Sequence, residues 1–227
     1  MIDVGSHGPG IFGQCPPLGK ANRNRFSAIP INSTFWTGKC YSGAMGFGDH
    51  LSSILENDPH RMAVLKTVRE LALPDGWVAA GFVRDAVWDY LHGRAADLPA
   101  GDVDVVWFDR HRVEERHDRE IEIRLRQQQP DFDWSVKNQA RMHLRNGDRP
   151  YASVMEAMRF WPETATAVAV RLVSDGWLEI NAPFGLDDLF APRLVPTSSF
   201  TGAKRHIFDG RVASKKWLLR FPLLQYG

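Results

Sequence analysis

Trp77-Val78-Ala79-Ala80-Gly81-Phe82-Val83-Arg84-Asp85, followed by Asp102-Val103-Asp104-Val105-Val106-Trp107-Phe108-Asp109, is the stretch on which the fold turns. The apolar run at 77–80 predicts a short strand, and Gly81 leads into helical spacing over 83–91. Residues 95–101, with Pro99, read as a loop, and 102–109 are rich in β-branched and aromatic residues, which predicts a buried strand. Strand side chains alternate between faces, so Asp102 and Asp104 point the same way. Two adjacent carboxylates in water-poor surroundings repel and are relieved by a cation between them. Mg²⁺ suits such a pair, because it takes one or two carboxylates and fills its other positions with water and substrate phosphates. A glycine before a helix start lets phosphate oxygens approach free backbone N–H groups at the positive end of the helix dipole. A phosphate cradle and a metal clamp at neighbouring strand ends are what phosphoryl or nucleotidyl transfer requires. The structural alternative is a strand-end cap and an ordinary strand–glycine–helix junction.

Outward from this stretch, strands and helices continue to alternate. Leu51, Ile54 and Leu55, then Met62, Leu65, Val68, Leu71 and Leu73, recur at helical spacing. Asn57-Asp58-Pro59 between them suits a helix start. Residues 110–129 are strongly charged and predict a solvated helix ended by Pro130, with His111 and His117 on its exposed face. A strand is expected at 132–136, a helix or functional loop at 137–143, and a helix at 153–160 capped by Ser153 and Glu156. Segments 165–173 and 177–182 around Asp175-Gly176 read as a β-hairpin. A short helix at 184–190, with Asp187 and Asp188 as caps or surface charges, and an amphipathic helix at 210–221 complete the chain. The pattern predicts an α/β (α+β) fold, a mixed β-sheet flanked by helices.

The 227 residues can bury a full core without disulfides, and the only cysteines, Cys15 and Cys40, form neither a disulfide framework nor a zinc site, so no disulfide-linked partner is expected. The net charge of +1 gives no global basic field for indiscriminate nucleic-acid binding. No apolar run approaches the roughly 20 residues that cross a membrane, and no signal peptide is evident, so a cytoplasmic protein without membrane partners is expected. Residues 1–44 are rich in Gly, Pro, Ser and Asn without a core-forming pattern. Either they are a disordered extension or translation starts at Met45, ahead of a single domain over 45–227 that includes a basic C-terminal helix.

Gly81-Phe82-Val83-Arg84-Asp85 with Asp102-Val103-Asp104 resembles the Gly-Gly-x-Val-Arg-Asp and Asp-x-Asp motifs of DNA polymerase β-like nucleotidyltransferases, notably the tRNA CCA-adding branch. Residues 134–143 (WSVKNQARMH), 161–167 (WPETATA) and 182–190 (APFGLDDLF) resemble a bacterial nucleotidyltransferase-like family of unassigned substrate, over about residues 50–225. The resemblance implies a polymerase β-like fold and Mg²⁺- or Mn²⁺-dependent transfer of a nucleoside monophosphate from a nucleoside triphosphate to an acceptor: a small molecule, a protein or an RNA end. It implies Asp102 and Asp104 as catalytic and metal-binding residues, with Gly81 and Arg84 at the nucleotide. The superfamily uses a third carboxylate; the candidates are Asp133 and Glu179, and Asp133 is preferred because 133–136 (DWSV) resembles a stretch of the CCA-adding branch. Ala80 departs from the pattern, standing where the superfamily often has a first glycine.

Other residues carry two readings. Lys137 and Arg141, with His143, bind triphosphate or acceptor, or lie on a solvated helix face. Asn138 and Gln139 contact base or ribose, or form a turn; Asp85 is read as structural. The basic C-terminal segment grips RNA or a nucleotide, or, the preferred reading, Trp217, Leu218, Phe221 and Leu224 dock the last helix while its charges face water. At the level of the whole protein, the rivals to an enzyme are a nucleotide-binding module without turnover and an interaction protein whose aspartates are surface charges.

Overall fold

The computed structural model describes residues 46–227, so the expectation for residues 1–44 lies outside the described residues. Five strands form one mixed sheet in the order β3-β2-β1-β4-β5: β1 (Trp77–Ala79), β2 (Val103–Trp107), β3 (Trp134–Asn138), β4 (Ala169–Leu172) and β5 (Leu178–Asn181). β2 and β3 run parallel, and the other neighbours are antiparallel. This is the predicted helix-flanked mixed sheet.

Period-two alternation splits each strand between two environments. Val103, Val105 and Trp107 of β2, Trp134 and Val136 of β3, and Val78 and Val170 of β1 and β4 enter the larger core. There they meet α1 (Phe47–Glu56), α2 (Pro59–Glu70), α3 (Gly81–Leu91) and α4 (Glu115–Gln128) through Leu51, Leu65, Phe82, Trp88 and Leu125. Trp77, Ala79, Val106 and Ala169 face the other way, into a small cluster with Val154 and Met158 of α6 (Val154–Met158). Asp104 shares the parity of Val106 and so lies on the thinly covered face.

Caps fix the helix starts. Asp58 accepts from the His60 and Arg61 N–H groups at 3.0 Å, with Pro59 in the first position of α2. Ser153 accepts from the Glu156 N–H at 3.1 Å, and Glu156 accepts from the Ala152 N–H at 2.6 Å, a variant of the predicted capping box. Gly176 takes φ +85° in the β4–β5 turn. Charged α4 is anchored by a buried polar hub: Asp118 accepts from Trp107 Nε1 at 2.8 Å, from the Asn138 N–H at 3.0 Å and from Arg141 on α5 (Gln139–Asn146).

The structure differs from the expectation at the C-terminal end. The predicted short helix at 184–190 narrows to α7 (Asp187–Phe190). The single helix expected at 210–221 is two, α8 (Arg205–Lys215) and α9 (Trp217–Arg220), separated by Lys216 at φ +52°. Trp217 lies five positions beyond Val212, which on an unbroken helix turns it about 140° away from the Phe208–Val212 stripe. The left-handed residue redirects the chain so that Trp217 and Phe221 also reach the core, packing on Trp88. A two-residue parallel ladder, β6 (Arg193–Leu194) with β7 (Gln225–Tyr226), was not foreseen, being too short to show alternation. No described helix is long and apolar enough to cross a membrane.

Between β1 and α3 the buried Ala80 takes φ +56° and ψ −124°, a region that disfavours any Cβ. Its N–H donates to Val168 O at 2.9 Å and its carbonyl accepts from the Arg84 N–H at 2.9 Å, so the surroundings impose the conformation. This is the position at which the superfamily often has glycine. Replacing Ala80 by Gly removes the strain and should leave stability equal to or above the parent. Ala80→Val should lose about 2 kcal/mol or more, because a β-branched side chain fits this region worst. Urea midpoints of the two variants measure both effects.

Candidate active site

Strand register builds the site. Asp104 is in register with Ala79 on β1 and with Ser135 on β3, and Ala79 is followed by Ala80 and the first residue of α3, Gly81. The Asp-x-Asp strand and the turn into α3 are therefore side by side. Burial first, and the Asp102 carboxylate second, push the Asp104 carboxyl up to about 6; the Ser135 hydroxyl, Arg84 and Lys215 pull it the other way. Asp102, one residue ahead of β2, is exposed. Next to it the Val103 N–H donates to Asp133 O at 2.6 Å, so the backbones of Asp102 and Asp133 lie abreast at the strand ends.

α3 presents its N-terminus to this pair. An added Cβ on Gly81 would come within 3.5 Å of Arg84 Nη2, so the guanidinium closes over the first turn. Arg84 is itself held: Nε and Nη2 donate to Asp85 Oδ1 at 2.9 and 2.6 Å, and Nη1 donates to Thr166 Oγ1 at 2.9 Å. Arg220 Nη1 donates to Asp85 Oδ2 at 2.8 Å, which gives the buried Asp85 the structural role expected of it. A depression of about 220 Å³ is lined by Gly81, Arg84, Asp102, Lys215, Trp217 and Arg220. Asp104 does not line this depression; it opens into a separate cleft of about 560 Å³ lined in part by Lys137, Arg145, Trp161, Lys204 and Arg211.

The structure thus brings together Gly81, Arg84, Asp102 and Asp104, with Lys137 on the neighbouring strand lining the same cleft as Asp104. Lys137 Nζ donates to Val136 O at 2.9 Å and lies 3.3 Å from Glu122 Oε1. Arg141 is bound to Asp118 and lines a separate depression of about 320 Å³. The Asp133 side chain is 76% exposed and lies 3.5 Å from Arg126. Glu179 pairs with Arg171 at 2.7 Å on β5, three strands from β2. Asn138 forms a turn: it caps α5 through the Ala140 N–H and donates to the carbonyls of Asp109 and Arg112 at 2.8 Å.

Ser135 and Thr166 enter the site without having been assigned a role in the sequence, and Lys215 was legible there only as one charge of the basic C-terminal segment. The β2–β3 register would have identified Ser135 once β3 was placed beside Asp104. Thr166 arrives from a distant segment and leaves no local signal.

Among the described residues no group of three or more His, Cys, Asp or Glu side chains could hold a metal. Asp102 and Asp104, close enough to interact electrostatically, nonetheless fit a hard cation that completes its shell with water and substrate oxygens.

A solved structure described as a CCA-adding enzyme head domain, determined by NMR, has 30% identity and a TM-score of 0.71, covering 78% of this chain and 94% of that one. A tRNA nucleotidyltransferase complexed with a primer tRNA and an incoming ATP analog has 17% identity and a TM-score of 0.44, covering 70% of this chain and 45% of that one. A search of curated proteins finds no match. The family model described as nucleotidyltransferase matches residues 66–226, well over half of the chain. By that match the protein belongs to the nucleotidyltransferase family of enzymes, on the polymerase β-like fold.

Proposed function

We propose that the protein transfers a nucleoside monophosphate from a nucleoside triphosphate to an acceptor hydroxyl and releases pyrophosphate, with Asp102 and Asp104 holding Mg²⁺ or Mn²⁺. The observation that carries this reading is the half-buried Asp104 carboxyl, raised to about 6 by desolvation first and by Asp102 second, on the strand beside the N-terminus of α3. When bound, the cation supplies charge neutralisation for the phosphates and polarises the reacting phosphoryl group. The chain's own part is positional. The first turn of α3 and Arg84 orient the polyphosphate, and Lys137 faces the bound substrate from the cleft. The acceptor oxygen forms a bond to the α-phosphorus, the bond to the β-phosphate oxygen breaks, and pyrophosphate carries away that electron pair. The hydroxyl proton passes to a carboxylate of the site acting as base. Asp133, abreast of Asp102, enters as a third carboxylate of lesser weight, and Arg141 is assigned to the Asp118 hub. The acceptor is a small molecule, a protein side chain or an RNA end; the net charge of +1 weighs against a long nucleic acid. Cytoplasmic location belongs to the same proposal.

A second reading, a nucleotide-binding module without turnover, is favoured by one observation: among the described residues no third carboxylate completes a metal cluster with Asp102 and Asp104. Pyrophosphate release by the purified protein with Mg²⁺ and each nucleoside triphosphate, across an acceptor series, separates the two. Binding without release supports the module.

Asp102→Asn and Asp104→Asn should each lose metal-dependent nucleotide binding and lower transfer by about 10³-fold or more. The apo variants should melt no lower than the parent. Retained nucleotide binding together with lost stability would return both aspartates to a structural role. For the third carboxylate, Asp133→Asn should lower transfer several-fold and Glu179→Gln should change it little, measured as kcat/KM under identical metal saturation.

The Asp104 carboxyl also sets a pH signature. Its folded pKa lies above the unfolded value of about 4, so the folded state binds the proton more tightly. That stabilisation is full below about pH 4 and disappears as pH rises through about 6. Melting of the metal-free protein relative to Asp104→Asn should therefore fall between pH 4 and about 6 and stay low above that range. Mg²⁺ should restore the parent alone at pH 7.5. A difference that is flat with pH would show that Asp104 is not crowded.

A further inference from the structure

Four cations line the depression in front of Asp102: Arg61, Arg84, Lys215 and Arg220. Three are committed to carboxylates of the fold. Arg61 is bound to Asp58, Arg84 to Asp85 at 2.6 Å, and Arg220 to Asp85 at 2.8 Å. Lys215 is exposed and takes part in no ion pair among the described residues. It is also the last residue of α8, immediately before the left-handed Lys216.

The placement of Lys215 is enforced from both sides. Phe208 and Val212 bury one face of α8. After Lys216, Trp217 is only 3% exposed; its ring stacks with the Arg84 guanidinium at 4.5 Å and meets Trp88 edge-on at 6.2 Å. Arg220 is then tied to Asp85 at the first turn of α3. The bend at Lys216 is thus clamped to the element that carries Gly81, and Lys215 stands on the rim facing Asp102. Its charge reaches as far as the Asp104 carboxyl, which it helps to lower.

We propose that Lys215 is a substrate-binding residue that contacts the β- and γ-phosphates of the bound nucleoside triphosphate. The assignment rests on the nucleotidyl-transfer reading and adds to it a residue from outside the Gly81 and Asp-x-Asp motifs. The chemistry follows from what is left uncommitted. Arg84 directs three N–H groups at Asp85 and Thr166, which fixes the guanidinium but occupies much of its donor capacity. A flexible ammonium with three free donors is the complementary group for terminal phosphate oxygens, and it stabilises the charge that gathers on departing pyrophosphate. The competing explanation is that a lysine at the end of α8 only complements the helix dipole. Lys216, equally charged and adjacent, would then serve as well.

The full chain and its Lys215→Ala, Lys215→Arg and Lys216→Ala variants are compared by calorimetric titration with tripolyphosphate, a nucleoside triphosphate and the corresponding monophosphate, each with Mg²⁺. Lys215→Ala should weaken tripolyphosphate and nucleoside triphosphate by about tenfold or more, the usual scale of one lost charge-assisted hydrogen bond. Its monophosphate affinity and melting temperature should be unchanged. Lys216→Ala should stay within about twofold of the parent, and Lys215→Arg should recover part of the loss. If the parent binds the triphosphate and Lys215→Ala matches Lys216→Ala, Lys215 is a surface charge and the proposal fails while the nucleotidyl-transfer reading stands. If the parent binds neither tripolyphosphate nor nucleoside triphosphate, the nucleotidyl-transfer reading fails first and takes Lys215 with it.

Discussion

The pairing of Ala79 with Asp104 across β1 and β2 is the constraint on which the site depends. β1 leads directly into Ala80 and α3, so whatever stands opposite Ala79 stands beside the N-terminus of that helix. A slip of one residue would turn Asp104 into the larger core and bring Val103 or Val105 to the site. The apolar partition of β2 makes that slip prohibitive, since Val103, Val105 and Trp107 are fully buried and a buried carboxylate in their place would lack a partner. Packing on one face of the sheet therefore fixes chemistry on the other. The strained Ala80 belongs to the same constraint: held at φ +56° by hydrogen bonds on both sides, it turns the chain from β1 directly into α3 beside Asp104.

The second constraint is the chain of charge that runs from α3 to the C-terminal segment. Asp85 accepts from both Arg84 and Arg220, and Arg84 lies between Trp88 and Trp217. Removing one partner of such a buried group leaves the others unpaired, so its members are mutually dependent. Its consequence for function is mechanical. The last helices are not appended to the fold; they are bolted to the first turn of α3. The basic C-terminal segment, which in the sequence looked like a docked helix with solvated charges, divides accordingly: Arg211 and Arg220 serve the fold through Glu163 and Asp85, and Lys215 is left facing the site.

What was legible in the sequence follows the same physics. Strands and helices with a strong period were read to within a few residues: the sheet strands, the Asp58-Pro59 start of α2, the Ser153 cap and the Gly176 hairpin. That Asp102 and Asp104 lie close enough to interact was legible, because strand alternation acts within three residues. Features that depend on distant partners were not. Nothing local to Arg141 reveals that Asp118, twenty-three positions earlier, will be buried and take its guanidinium. The break at Lys216 is set by where Trp217 must pack, and β6 and β7 exist only because residues 193–194 and 225–226 meet. Ser135 needed one further inference, that β2 and β3 are parallel neighbours, which alternation alone does not supply.

The electrostatic balance of the site also bears on the order in which its ligands can be accommodated. Desolvation first, and repulsion from Asp102 second, already oppose charge on the Asp104 carboxyl. A triphosphate brought to the α3 N-terminus adds several negative charges to that neighbourhood, and Arg84 and Arg220 cannot answer them fully because Asp85 lies between them. On the proposed reading a divalent cation held by the two carboxylates would remove the opposition, and phosphate oxygens would fill coordination positions that two carboxylates leave open. Each ligand therefore strengthens the other, and by linkage the coupling is equal in both directions. A site that works as proposed would reject a bare nucleotide and a bare cation more than it rejects the pair, so that polyphosphate and cation would bind together.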